Sequence, residues 1–289
     1  MPYGCAPPCR TSLGLGSLYV GYLFSDKQGL KFTREVTTAI DEPNIVYKFP
    51  VQGILLGLSG TFWAGESLGV IGSGALLIPV KTNGNTEEEG PGATALGSSL
   101  DANNQFGFLD AAASYKFYDA GWASFHALAG FRWDHFTSKQ TFVATDAGAT
   151  FVRDTTNNLT VDAYVPYFGV KLAQMTPCSY FNARVIGFPT VPGNITFQNS
   201  FSGTENLAPL VGGGDFHSAF KNGYFIEVFG EYAAKMLGDV FVGGFGAYDI
   251  LQGKTGEGQY TASGGGALDE QIVLTRRTWT LGGTLGYQF

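Results

Sequence analysis

The last eleven residues constrain this chain more than any other stretch. Trp279, Leu281, Gly283, Leu285, Tyr287 and Phe289 alternate with Thr280, Gly282, Thr284, Gly286 and Gln288. Residues two apart share one face of a β-strand, so one face here is largely apolar and the other small and polar. The same period recurs upstream. Ala127, Ala129, Phe131 and Trp133 oppose His126, Gly130, Arg132 and Asp134, and Ile226, Val228 and Tyr232 oppose Phe225, Glu227, Phe229 and Glu231. A soluble sandwich would bury its apolar face and expose its charges. Here charges sit mid-strand on one face while aromatics gather near strand ends on the other, as in a wall with lipid outside it.

Composition narrows the alternatives. Charged residues make up 14% of the 289 residues, against about 25% in a typical soluble domain. Aromatics at 15% and 42 glycines exclude an intrinsically disordered chain, which needs low hydrophobicity and high charge. The longest apolar stretch, 53–65, is cut by glycines, Ser59 and Thr61, so no helical membrane span is present. A net charge of −7 with no basic run argues against nucleic acid as a partner.

The pattern predicts an all-β fold: a transmembrane antiparallel up-and-down β-barrel of ten strands, with eight or twelve as the alternatives. The expected strands are 11–25, 44–62, 66–80, 103–118, 121–137, 158–174, 178–190, 221–236, 238–250 and 270–289. Short periplasmic turns near 64–65, 119–120, 176–177 and 237 alternate with long extracellular loops at 26–43, 81–102, 138–157, 191–220 and 251–269. Segment 191–220 has room for one more hairpin around 195–201. Residues 1–10 read as a periplasmic tail and 11–289 as one barrel domain. The acidic excess concentrates in the long connections, leaving the barrel close to neutral, as expected where unpaired buried charge is costly.

The final strand, with Leu281, Leu285, Tyr287 and Phe289, resembles that of bacterial outer-membrane β-barrel proteins of the small monomeric porin-like type. The resemblance implies recognition of those four residues by the outer-membrane assembly machinery. It also implies contact with outer-membrane lipid and lipopolysaccharide, and a location in the outer membrane. Residues 1–12 show no signal peptide, so one is expected to have been removed.

Parity places ten charged or titratable residues in the lumen: Asp110, Lys116, His126, Arg132, Asp134, Lys171, Arg184, Glu227, Glu231 and Lys235. Lys116, Lys171 and Lys235 fall towards the periplasmic end, and Arg132, Asp134 and Glu227 nearer the outside. Such a set is either a selectivity lining or a salt-bridge network closing the lumen. Trp122, Tyr167, Tyr180, Phe225 and Phe229 share the inward parity. Trp63, Phe117, Phe181, Tyr232, Tyr287 and Phe289 should mark the periplasmic interface, and Trp133 and Tyr224 the external one. Cys5, Cys9 and Cys178 lie on one side of the membrane, and a disulfide is expected within that set.

Asp215 and His217, in a Gly-Gly-Gly-Asp-Phe-His run, resemble the Asp-x-His pair of the omptin surface proteases. The resemblance stops at those two residues: the earlier loop carries Glu87, Glu88 and Glu89 where that family has an acidic couple. The chain is therefore expected not to be an enzyme, with no catalytic residue, cofactor or metal. The expected function is a narrow porin-like channel for small solutes or a closed barrel stabilising the envelope. Surface adhesion or recognition through the extracellular loops is the alternative.

Overall fold

The computed structural model describes residues 14–26, 29–37, 44–89, 98–145, 151–205, 208–262 and 267–289. The strands are β1 (Gly14–Phe24), β2 (Leu30–Val36), β3 (Asn44–Phe49), β4 (Gly53–Trp63), β5 (Leu68–Pro79), β6 (Thr82–Glu89), β7 (Ser98–Asp119) and β8 (Ser124–Thr145). They continue as β9 (Phe151–Met175), β10 (Ser179–Phe188), β11 (Gly193–Glu205), β12 (Ala208–Leu237), β13 (Val240–Thr255), β14 (Gly258–Ala262) and β15 (Ala267–Gln288).

Pairing resolves these strands into ten staves. β1 and β2 both lie along β15, β3 and β4 form the next stave, and β5 and β6 the third. β10 with β11, and β13 with β14, are two further interrupted staves, while β7, β8, β9, β12 and β15 run unbroken. Every pairing is antiparallel, and β15 closes the ring on β1 with Leu15 opposite Gln288 and Phe24 opposite Trp279. Gly14 and Phe289 exchange backbone hydrogen bonds of 3.0 and 3.1 Å at the seam.

The short turns lie where the sequence places them. Three carry a glycine with positive φ: Gly65 at 140°, Gly121 at 79° and Gly238 at 56°. Such angles suit a residue without Cβ.

The long loops are different. Much of 26–43, 81–102, 138–157, 191–220 and 251–269 is strand, continuing the staves upwards. β12, with 30 residues, runs about 100 Å at about 3.3 Å per residue. That greatly exceeds the ~25 Å apolar band such barrels present to lipid. The segment 195–201 belongs to β11 and extends the stave begun by β10; it adds no eleventh stave. The expected tail 1–10 lies outside the described residues.

The barrel changes character part-way up. On the lower outer face Leu281, Leu285, Tyr287 and Phe289 are about half exposed, together with Leu58, Leu76, Phe168 and Val170 on other staves. The inward partners on β15 are Thr278, Thr280 and Thr284. Higher on the same strand, with unchanged parity, Ile272 and Leu274 point inwards, while Gln271 and Thr275 lie on the outer face. The upper barrel is thus a water-facing wall around an apolar core of Phe32, Tyr47, Phe49, Phe197, Phe216 and Leu159.

The change falls close to a line of interruptions. Staves break at Pro50, just after Pro79, and between Phe188 and Gly193, where Pro189 and Pro192 intervene. Proline has no N–H for the ladder, which explains a break at each site. On the unbroken β12 the same level carries a register shift between Phe220 and Asn222.

Candidate functional site

Seven charges of alternating sign cross the lumen at the level of this line. Asp110 of β7 meets Arg184 of β10 at 3.5 Å, and Arg184 meets Glu227 of β12 at 2.8 Å. Glu227 also binds Arg132 of β8, which binds Asp134 at 2.5 Å. Asp134 in turn binds Arg276 of β15 at 2.7 Å, and Arg276 binds Asp249 of β13 at 2.8 Å. Tyr167 and Ser73 donate to Asp110 at one end, and Thr278 donates to Asp249 at the other. Aromatic rings cover the guanidinium groups: Arg132 lies 4.0 Å from the Phe108 centroid and Arg276 4.3 Å from that of Phe106.

Local sequence makes this belt possible. Tyr167 reaches Asp110 across position 130, where an added Cβ would lie 2.6 Å from the tyrosine oxygen. Glycine at 130 therefore clears the path.

Two smaller polar groups occupy the periplasmic end. Glu231 accepts from Tyr19 at 3.0 Å, Tyr180 at 2.5 Å and Thr284 at 2.7 Å. His126 is held between Ser114 at 3.2 Å and Ser124 at 2.9 Å, with Trp63 against its ring. Trp63 therefore faces the lumen and is not part of the lipid girdle, because its odd parity on β4 is that of the inward Leu55 and Gly57. Trp122, by contrast, is 61% exposed in a turn, where strand parity has no meaning.

Of the ten residues expected in the lumen, the structure joins Asp110, Arg132, Asp134, Arg184 and Glu227 in one belt. His126, Lys171 and Glu231 are buried below it. Lys116 and Lys235 stand at the periplasmic rim, against Asp119 at 3.4 Å and Asp239 at 3.8 Å. Arg276 and Asp249 belong to the belt but were absent from the expected set. Arg276 shares its parity with Thr278 and Thr280, so the alternation already marked it as inward. Leu281, Leu285, Tyr287 and Phe289, the residues expected to act as an assembly signal, line the outer face at the seam. Cys178 is disulfide-bonded; Cys5 and Cys9 lie outside the described residues.

Above the line, Arg34 of β2 and Glu270 of β15 form a buried pair linked by two hydrogen bonds. Arg34 also lies 4.6 Å from the Tyr260 ring centroid and 4.9 Å from that of Phe197. Burial alone would lower the Arg34 pKa, but Tyr47 and Glu270 more than offset it and hold the charge. Burial pushes the Tyr260 phenol up, against the pull of Arg34.

Asp215 and His217 point to the outer wall, where the His217 ring bonds the Thr196 hydroxyl at 2.9 Å. Their odd parity matches that of the inward Phe225 and Glu227, so straight alternation would turn them into the lumen. The irregularity between Phe220 and Asn222 reverses the parity and turns them out. Among the described residues, no group of three or more His, Cys, Asp or Glu side chains could hold a metal ion.

No family model matches the chain, and no curated protein matches it by sequence. Solved structures do match in fold. The outer-membrane protease OmpT from Escherichia coli superposes with a TM-score of 0.68 at 10% identity, covering 99% of this chain and 100% of that one. The chain has the fold of an outer-membrane β-barrel. The Pseudomonas putida toluene transporter TodX also matches, with a TM-score of 0.39 at 10% identity over 97% of this chain and 91% of that one. The translocator domain of the autotransporter NalP from Neisseria meningitidis gives 0.30 at 12% over 97% and 90%. At such identities the likeness concerns the fold alone.

Proposed function

We propose that the protein works as a closed barrel that strengthens the outer membrane and holds a rigid wall above it, in preference to an open porin. One observation carries this reading: the upper lumen is packed with side chains. Phe32, Phe49, Phe197 and Phe216 are each 0% exposed, where an open channel needs water. Ten staves favour such filling, since about eight strands leave an interior just wide enough for side chains, and open pores have sixteen or more. On this reading the barrel is a monomer embedded in lipid and lipopolysaccharide, and no catalytic step is needed. Reconstitution into planar bilayers should give no stable conductance steps. Sustained open-channel current from the folded protein would overturn the proposal.

A second reading, surface recognition, is favoured by the outer wall above the lipid. Asn103, Gln105, Thr137, Lys139, Asn158 and Thr160 line an open depression of about 290 Å³ across β7, β8 and β9. Amide and hydroxyl side chains on a stiff sheet suit polar partners, and binding sites are often displayed on such scaffolds. Replacing Asn103, Asn158 and Thr160 together by alanine should then abolish cell-surface binding without altering the barrel; unchanged binding would remove this reading.

A further inference from the structure

The lumen is lopsided below the apolar core. On β1, β4 and β5 the inward side chains include Gly21, Gly57, Ser59, Ser73 and Ala75. Across from them stand the arginines and carboxylates of β8, β10 and β12. The mismatch leaves a cavity of about 90 Å³. One wall is apolar, with Leu23, Leu55, Ile71 and Phe245; the other carries Arg132, Lys171, Asn182, Arg184 and Glu227.

Arg132 and Arg184 are engaged by carboxylates. Lys171 is not. Its side chain is only 6% exposed, yet among the described residues its ammonium group has no carboxylate within 4.0 Å and no hydrogen bond. The ammonium lies 5.8 Å from the Trp63 ring centroid, and Arg184 and His126 flank Lys171 on the neighbouring strands. Glu231, an acid in the same region, is already satisfied by three hydroxyl groups. Asn182 adds a second unpaired atom on this wall: its Oδ1 is buried without a donor. Along the belt above it, by contrast, cation and anion alternate in contact. A buried ammonium facing a cavity with no counter-charge in contact is an incomplete ion pair.

We propose that this cavity is a binding site for a small organic carboxylate with a short hydrocarbon tail. The carboxylate accepts from the Lys171 ammonium, and the tail lies against Leu23, Leu55 and Ile71. Asn182 then accepts from a water bound beside the ligand. The volume suits a chain of a few carbons, since a water needs about 10–15 Å³ on the same measure.

The test uses the full chain, refolded from urea into detergent micelles so that an enclosed site can fill. Sodium butyrate is the probe, with sodium chloride and the neutral butyramide as controls at matched concentration. The expected result is a saturable rise in unfolding temperature with butyrate alone, as for any ligand that binds only the folded state. Lys171→Met should abolish the rise by removing the charge. Ala75→Leu should abolish it by filling the cavity, with the ammonium retained; its folding is verified by heat-modifiable gel mobility. If Lys171→Met fails to fold, Ala75→Leu and the butyramide control decide. Absence of a saturable butyrate effect, an equal effect from chloride or butyramide, or persistence of the effect in either folded variant would overturn the proposal.

Discussion

The lower and upper halves of this barrel use the same staves with opposite chemistry. Below the line of interruptions, lipid outside rewards apolar side chains there, and the interior must then carry the polar residues and satisfy them mutually. Above the line, water lies outside and the hydrophobic effect acts in the usual direction. Backbone hydrogen bonding and ring closure are common to both halves; the solvent outside differs. Each half therefore fails in its own way when perturbed. The membrane half is vulnerable to unpaired charge, and the outer half to cavities in its apolar packing.

The strongest break in the comparison comes from the belt. Glu227→Gln removes the carboxylate shared by Arg132 and Arg184 and leaves two buried guanidinium groups short of a partner. Breaking a buried pair this way costs about 3–5 kcal/mol. Urea unfolding in micelles should show that loss; a variant as stable as the parent would mean the belt is dispensable.

Next in size is a paired test on one face of one strand. Leu281 and Thr275 both face outwards on β15, one below the line and one above it. An arginine facing lipid costs about 2–4 kcal/mol at the midplane, whereas an exposed surface change is usually within about 0.5 kcal/mol. Leu281→Arg should therefore reduce the folded fraction in vesicles while Thr275→Arg leaves it unchanged. Similar losses at both sites would erase the proposed boundary.

A smaller effect is expected at position 130. Gly130→Ala places a methyl group where the Tyr167 ring lies and displaces the tyrosine from Asp110. Overpacking of this kind costs about 1–3 kcal/mol. Adding Tyr167→Phe to the alanine variant should then cost little more, a non-additivity that a double-mutant cycle would detect.

The smallest effect belongs to the periplasmic turn. Asp119 accepts from the Gly121 N–H at 2.9 Å, and with Lys116 nearby its carboxyl is held below the usual range. A depressed folded pKa contributes stability at neutral pH and loses it as pH falls through that value. Asp119→Asn should therefore remove a slight acid dependence of unfolding below about pH 4, the ordinary aspartate range. An unchanged pH profile would show that the turn contributes nothing.

These contrasts also explain what could be read from the residues alone. The lower half was legible because lipid enforces a strict alternation, as in 279–289, and the periplasmic turns are short. The upper half was read as loops because its pattern is that of ordinary soluble strands interrupted by prolines and glycines. Gly212, Gly213 and Gly214 carry no side chains whose alternation could mark a strand. In β12 an added Cβ at Gly214 would lie 2.6 Å from the Tyr260 oxygen, so the glycine makes room for a packed ring. Glu270 opens the expected final strand, but its pairing with Arg34 joins residues 236 apart in the chain, a contact no local spacing reveals. The outward turn of Asp215 and His217 was hidden for a different reason: a single irregularity reverses every assignment beyond it.

The interruptions near Pro50, Pro79 and Pro189 have one more consequence. They act as a perforation around the barrel, a level at which several staves are already discontinuous and the backbone need not be continuous to hold the ring. Everything required to close the cylinder in lipid, including the seam between Gly14 and Phe289, lies beneath it. The interrupted staves enter the upper wall as separate strands, while β7, β8, β9, β12 and β15 carry the register of the foundation into it.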